Sequence, residues 1–389
     1  MSKYTQVIMV YQMDPFGEDQ GGGTRYVKQL LEGLSKTNCK IDFLGQGVAR
    51  KSQRSLSFIP ISHTHCSYPV FFLKLLFFCL KQQPTTHSVV HVHRLYFALP
   101  FILLWPQAKI ICTLHGRSFS VFPARFGKAI SKVVFPVFKT LERFLLRRID
   151  ALIPVSHEVS SVFANRYKLD YLDSKLNHTF IPSMVDLSSF FPFPSTHLQN
   201  KFGEKHQYIT FIGRLAAVKN ITKILNCWAE ESIDKSKFKL VLVGDGELKK
   251  QLLNITNQLD IEKSVIFYGA APPRLIPEII NSSHGLVLSS YHEASPTVVK
   301  ESLACGVPIL STDVGEVSDY INHKKTGYIV ECNDSELDYV VGMEWLLNSK
   351  FDKLSIVKMA SNRLKQCSPE ICGKMYAEAY QKLLPSKKI

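Results

Sequence analysis

Short runs rich in Val, Ile and Phe alternate with helix-length amphipathic stretches twice over along this chain, and no other feature restricts its fold as much. In the first half such runs fall at 7–11, 41–44, 89–93, 110–114, 151–155 and 179–181; in the second half at 208–212, 239–243, 265–268, 285–288, 308–311 and 327–330. Continuous apolar runs separated by helical patterns are the mark of parallel strands covered by helices on both faces. The clearest helical patterns of the first half span 24–35, 128–148, with a kink expected at Pro136, and 158–166. The stretch 188–207, with Phe190-Phe191-Pro192-Phe193-Pro194 followed by polar residues, interrupts the rhythm and reads as a linker. The predicted class is therefore α/β, with two doubly wound, Rossmann-like domains, 1–190 and 191–389, whose parallel sheets face each other across a cleft. The segment 333–384 is helical in pattern, and its helices are expected to pack back toward the first domain.

Composition narrows the class of function. At 389 residues, 46% of them hydrophobic, the chain can build more than one core. The first residues lack the basic, apolar and small-residue series of a signal peptide. The longest apolar runs, 70–80 and 95–106, are interrupted by Lys74 or Pro100 and fall short of the roughly 18 residues that span a bilayer. No transmembrane helix is predicted. Nine scattered cysteines with no Cys-x-x-Cys pattern fit reduced thiols in a cytoplasmic protein rather than a disulfide framework or a zinc site. Residues 1–195 carry 23 Lys and Arg against 11 Asp and Glu, a net charge of +12 out of the chain's +14. With no zinc finger, RNA-binding aromatic signature or arginine-rich tail, that basic half suits an anionic membrane or substrate better than nucleic acid.

The segment from Tyr291 to Glu301 carries the chemistry. Ser295 suits a helix N-cap and Pro296 the first helical position, with Val298, Val299 and Leu303 beginning an apolar face. Glu293 thus precedes the helix and Glu301 rides on it. Between them the backbone N–H groups of Thr297 and Val298 are donors at the positive end of a helix dipole, where a phosphate is stabilised. A nucleotide sugar has the matching order of groups: ribose hydroxyls, diphosphate, sugar hydroxyls.

Other motifs fall at strand ends. Arg214 follows the 208–212 run and Lys219 precedes the next helix, so both cations can converge on the crevice where open sheets bind ligands. Val243-Gly244-Asp245-Gly246 lacks a dinucleotide fingerprint and is either a tight structural turn or a wall for a base. Gly21, Gly22 and Gly23 precede a helix and would let backbone amides approach a phosphate, or form a flexible loop. His115 ends a central strand, while His91 and His93 share one strand face as a packed or hydrogen-bonded pair. No Asp-x-Asp occurs, so no metal is required to hold a diphosphate, and no cofactor is implied.

Taken together, 211–219, 243–246, 293–308 and 312–316, with the Gly21-Gly22 loop, Thr113-Leu114-His115-Gly116, Ile153-Pro154-Val155-Ser156 and 181–186 in the first half, resemble the retaining glycosyltransferases of family 4. The resemblance implies the GT-B fold. It implies that Glu301 accepts hydrogen bonds from the donor ribose and Glu293 from the donor sugar. Arg214 and Lys219 would hold the diphosphate, and Ser295, Pro296, Thr297 and Val298 would form the helix entrance facing it. Gly21 to Gly23 would close on the diphosphate, and His115 would lie near the reacting carbon. The catalytic set is then His115, Arg214, Lys219 and Glu293, and the donor is a UDP- or GDP-sugar. Ser183-Met184 stands where the family usually has Asn-Gly, and Ala294 where Gly is common.

The acceptor implied is a saccharide, lipid-linked, used in building lipopolysaccharide, capsule or exopolysaccharide. The run from Val70 to Leu80 and the basic stretch from Arg125 to Arg148, interleaved with apolar residues, suit a helix lying on the inner face of the cytoplasmic membrane or an ordinary core-facing helix. A nucleotide-sugar epimerase of the same architecture and a non-catalytic lipid- or glycan-binding protein are the alternatives.

Overall fold

The computed structural model describes residues 5–17, 21–48, 55–82, 88–116, 128–167, 177–332 and 335–384. The chain divides into two compact units, Met1–Met184 with Ser368–Ile389, and Val185–Cys367.

In the first unit a seven-stranded parallel sheet runs in the order β3-β2-β1-β4-β5-β6-β7. Its strands are β1 (Thr5–Val10), β2 (Cys39–Gln46), β3 (Leu56–Ser62), β4 (Val89–Val92), β5 (Lys109–Leu114), β6 (Ala151–Pro154) and β7 (Asn177–His178). All four residues of β4 and of β6 are buried, as expected of strands covered on both faces. The order reverses between β1 and β4, which makes the carboxyl ends of these strands the switch point where open sheets bind ligands.

Strand β3 was not expected from the sequence. It lies at the sheet edge and carries Pro60, which only an edge position tolerates because proline donates nothing to the ladder. The strand expected at 179–181 lies two residues earlier, although Thr179 and Ile181 still donate to the carbonyls of Leu152 and Pro154 at 3.2 and 3.4 Å. The helix Lys128–Leu146 continues through Pro136.

The last helix, Pro369–Leu383, completes this unit by crossing the helix Gly22–Ser35 at close range. A Cβ on Gly33 would overlap the carbonyl oxygen of Pro369, and one on Gly373 would overlap the backbone of Gly33. Tyr26 and Tyr376, fully buried at this crossing, exchange a hydrogen bond of 2.7 Å between their hydroxyls.

The second unit repeats the pattern with six parallel strands in the order β10-β9-β8-β11-β12-β13. These are β8 (Gln207–Ile212), β9 (Phe238–Val243), β10 (Val265–Gly269), β11 (Gly285–Leu288), β12 (Ile309–Thr312) and β13 (Gly327–Val330). The stretch 188–207 is not a linker: Phe190 and Leu198 are buried in this unit's core, and 197–202 forms a helix. Phe190, part of the run that suggested a connector, enters the core, while Phe191 stays exposed.

Candidate functional site

In the second unit the loops after β8 and β9 are zipped together by backbone hydrogen bonds, Gly213 N to Val243 O at 2.9 Å and Leu215 N to Asp245 O at 3.0 Å. Gly244 has φ of 143°, and a Cβ there would overlap the Gly213 carbonyl oxygen, so only glycine fits. The Val243–Gly246 turn is therefore a structural buttress for the loop that bears Arg214.

Past that loop, Asn220 adopts a left-handed conformation, φ 47°, and starts the helix Ile221–Ala229. Ser289, just beyond β11, donates to the carbonyls of Lys219 and Asn220 at 2.9 and 2.8 Å, and Tyr291 N reaches Val218 O at 2.9 Å. These bonds fasten Lys219 beside the segment that carries Glu293. The Lys219 Nζ donates to Glu293 Oε1, and the Ser290 hydroxyl donates to the same oxygen at 2.8 Å. Both side chains of this ion pair are mostly covered. By contrast, Arg214 pairs with Glu247 at 2.9 Å on the open surface, with 72% and 52% of the two side chains exposed. Such a pair contributes at most about 1 kcal/mol, so little holds Arg214 back from another anion.

Glu301 lies on the helix Thr297–Ala304 and is 2% exposed. The helix begins one residue later than the sequence suggested: Pro296 is the N-cap, and no side chain caps it. Ser295 is not the cap because its hydroxyl donates to Glu316 Oε2 at 2.7 Å and accepts from Lys300 Nζ at 2.9 Å. No acidic residue stands in the first turn, where Thr297 and Val298 lie. Behind this end, Lys300 and Glu316 form an ion pair at 3.6 Å with side chains only 1% and 3% exposed, and Lys300 sits 4.5 Å above the Tyr320 ring. Gly315, φ 63°, packs where a Cβ would come within 2.7 Å of the carbonyl oxygens of Glu293 and Ala294. Lys300 and Glu316 thus brace the segment between the two glutamates. Sequence reasoning gave them no role, since nothing local shows that a lysine inside a helix is fully buried.

In the first unit the three glycines differ. Gly21 takes φ of 132° as the N-cap of Gly22–Ser35, and among the described residues nothing lies near a Cβ built at Gly21 or Gly22. At Gly23 a Cβ would meet the Tyr11 hydroxyl, which would have to move aside.

His115 follows β5 directly, with its ring stacked on His93 at 5.1 Å and set edge-on to Tyr26 at 4.7 Å. Its Nε2 lies 2.9 Å from His93 Nδ1. Burial, with the nearby Arg94 charge, lowers its pKa from 6.5 to about 3. His91 and His93 are hydrogen-bonded rather than metal-binding in character. His91 joins Tyr380 and Thr113, each at 2.8 Å, and Thr113 joins Tyr376 at 2.7 Å. Burial, then the charge of His115, brings His91 to about 3 as well. His93 Nε2 is buried without a partner. A buried N–H left unpaired costs more than an unpaired lone pair, so the preferred arrangement has His93 Nδ1–H donating to His115 Nε2. That tautomer leaves the other ring nitrogen of His115, Nδ1, as an N–H donor.

Residues 20–187 match the family model Glycosyltransferase Family 4, and residues 193–363 match Glycosyl transferases group 1. The chain belongs to glycosyltransferase family 4. Among curated members, it is 26% identical to the N-acetyl-alpha-D-glucosaminyl L-malate synthase of Bacillus anthracis over 64% of this chain and 62% of that one. It is 26% identical to the UDP-Gal:alpha-D-GlcNAc-diphosphoundecaprenol alpha-1,3-galactosyltransferase of Escherichia coli, over 67% and 66% of the two chains. The chain thus spans about three fifths of the first relative's length. Solved structures show the fold to be GT-B. Sucrose-phosphate synthase of Thermosynechococcus elongatus superposes with a TM-score of 0.78 at 17% identity, over 97% of this chain and 99% of the other. Anabaena HepE in complex with UDP-glucose superposes at 0.72 and 13% identity, over 97% and 100%.

Proposed function

We propose that this family member is a retaining, metal-independent glycosyltransferase that moves a sugar from a UDP- or GDP-sugar to a saccharide acceptor, lipid-linked, in surface-polysaccharide biosynthesis. The observation that carries the reading is the Lys219–Glu293 ion pair fixed at the carboxyl ends of β8 and β11, eight residues before Glu301 and next to an uncapped helix start. The E. coli relative is named for a UDP-sugar donor and a diphosphoundecaprenol-linked acceptor, and HepE was solved with UDP-glucose. Both support a nucleotide-sugar donor for this chain.

The ion pair suggests how the donor is received. A diphosphate drawing Lys219 onto its oxygens frees Glu293 to accept hydrogen bonds from sugar hydroxyls, so charge stays balanced as the donor seats. Arg214 leaves Glu247 for the same diphosphate, and the amides of Thr297 and Val298 add donors along the helix dipole. Ser295 and Pro296 shape that helix entrance, and in the first unit Gly21, Gly22 and Gly23 leave backbone amides open to an anion. Glu301 takes the ribose.

In the transfer, the bond between the anomeric carbon and the phosphate oxygen breaks with its electron pair going to the diphosphate. The acceptor oxygen attacks the same face, and its proton passes to the departing phosphate. The rate then depends chiefly on stabilising the leaving group, the role of Lys219 and Arg214. His115, uncharged at neutral pH, serves as a hydrogen-bond donor near the reacting carbon rather than as an acid.

A peripheral position at the inner face of the cytoplasmic membrane is supported by the basic first half and by one surface. On the helix Tyr68–Lys81, Val70, Leu73, Phe77 and Leu80 recur at helical spacing and are all exposed. No helix among the described residues is long and apolar enough to cross a membrane. Co-sedimentation with vesicles of anionic lipid but not zwitterionic lipid is expected, and equal binding to both would remove the membrane assignment. For the enzyme itself, transfer should survive chelation of divalent ions and give a product with the donor's anomeric configuration by NMR. An inverted product would exclude the proposed chemistry.

A further inference from the structure

Arg94 stands two residues past β4, at the switch point of the first sheet, on the wall of a cavity of about 310 Å³. Tyr11, Gln12, Gly23, Gln46 and Tyr68 form much of the rest of the wall, and no acidic residue among the described residues lines it. The Arg94 guanidinium lies 4.2 Å above the Tyr68 ring and 5.9 Å from that of Tyr11, and its Nη2 donates to the Tyr68 hydroxyl at 2.7 Å. Its Nε is buried with no hydrogen-bond partner. Among the described residues no carboxylate forms an ion pair with it. The surrounding phenols carry no compensating charge at neutral pH, because burial holds Tyr11 above its usual value and Tyr96 up at about 12. A half-buried, always-charged guanidinium without a counter-ion is costly, and its flat fork matches phosphate and carboxylate oxygens.

A second group in the same wall is also incomplete. Gln12 donates through Nε2 to the Cys66 carbonyl, while its buried Oε1 accepts from nothing. An amide oxygen of this kind accepts from a hydroxyl, so the cavity offers a cation and a hydroxyl-binding group together. Gly23 keeps it open, since a Cβ there would displace the Tyr11 hydroxyl.

We propose that this cavity seats the acceptor through an oxyanion carried close to a hydroxyl, with Arg94 as counter-charge and Gln12 as hydroxyl acceptor. The assignment rests on the glycosyl-transfer reading above and specifies the acceptor chemically. The oxyanion is a phosphate ester, as in a saccharide diphosphate, or a carboxylate, as in a hydroxy acid.

Inorganic pyrophosphate and malonate serve as probes, titrated by calorimetry into four proteins: wild type, Arg94→Gln, a variant with Arg214→Ala and Lys219→Ala, and the variant with all three changes. The pair lacking Arg214 and Lys219 should retain binding of one of the two probes, and adding Arg94→Gln should weaken it at least tenfold. Pyrophosphate retention marks a phosphate acceptor, and malonate retention a carboxylate one. Arg94→Lys, which keeps the charge, should hold affinity within about tenfold and serves as the control should Arg94→Gln fold poorly. Loss of both probes in the Arg214 and Lys219 variant, or equal affinity with and without Arg94, would overturn the proposal. Titration of UDP and GDP separates the two claims. If both nucleotides bind wild type and the Arg214 and Lys219 variant alike, the donor assignment falls, whatever the Arg94 result.

Discussion

The two sheets share one strand order at their switch points, yet end in opposite chemistry. After β8 and β11 the second unit presents charge matched by charge: Lys219 with Glu293, Arg214 with Glu247, and Lys300 with Glu316 behind them. After β4 and β5 the first unit presents uncharged, buried rings, His91, His93 and His115 with Tyr26, Tyr376 and Tyr380, beside a single cation that no described carboxylate balances. The difference shows how one topology is given two tasks. Exchangeable ion pairs suit a polyanionic ligand that must bind and leave. A buried neutral network fixes ring positions and keeps its histidines uncharged.

The contrast can be broken most severely at Lys300. Lys300→Ala takes from the buried Glu316 its cationic partner and should destabilise the second unit by about 3–5 kcal/mol in denaturant unfolding, whereas Lys300→Met with Glu316→Leu should cost far less. A similar loss in both would mean that packing, not charge pairing, sets the brace. Next comes turnover. Lys219→Ala or Arg214→Ala should each slow transfer by more than about tenfold with circular dichroism unchanged. For Arg214→Ala the stability change should stay within about 1 kcal/mol, because its pair with Glu247 is exposed. Near-normal turnover in both variants would sink the donor-site assignment.

The neutral network makes a prediction of its own, in pH. His91 and His115 have folded pKa values near 3, against 6.5 for the free side chain. Between those values the unfolded chain binds the extra protons, so their contribution is complete above about pH 6.5 and is lost as pH falls toward 3. At pH 5 each histidine should cost about 2 kcal/mol of stability relative to pH 7.5. Chemical denaturation at both pH values should show the loss in wild type and a smaller one in His115→Gln. An identical pH dependence in the variant would contradict the buried, neutral assignment. The most local effect should come from Gly21→Ala: no described atom lies near the Cβ, but φ of 132° is unfavourable to it, giving a cost of about 1–3 kcal/mol confined to the helix start.

What the sequence revealed and what it hid divide along sequence separation. Strand runs and glycine turns are local, and the alternation displayed most of both sheets. The Glu293 to Glu301 spacing, also local, placed one glutamate before the helix and the other on it. Strand β3 was hidden by Pro60, which reads as a breaker until the edge position is known. The stretch 188–207 looked like a connector because its composition does not reveal that Phe190 and Leu198 have a core to enter. Ser295 looked like a cap because its competitor, Glu316, lies 21 residues away. The His91 bond to Tyr380 spans 289 residues, and the contact of Arg94 with Tyr68 joins separate elements 26 residues apart. No periodicity announces such pairs.

The central claim is that Lys219, Glu293 and Glu301 bind a nucleotide sugar. Thermal or chemical unfolding of wild type, Lys219→Ala and Glu301→Gln, with UDP-, GDP- and ADP-sugars in turn, tests it most directly. The account predicts that a UDP- or GDP-sugar at about 100 times its dissociation constant stabilises wild type by about 2.7 kcal/mol, with most of that gain absent in both variants. Stabilisation of all three proteins alike, or of none by any donor, would contradict it.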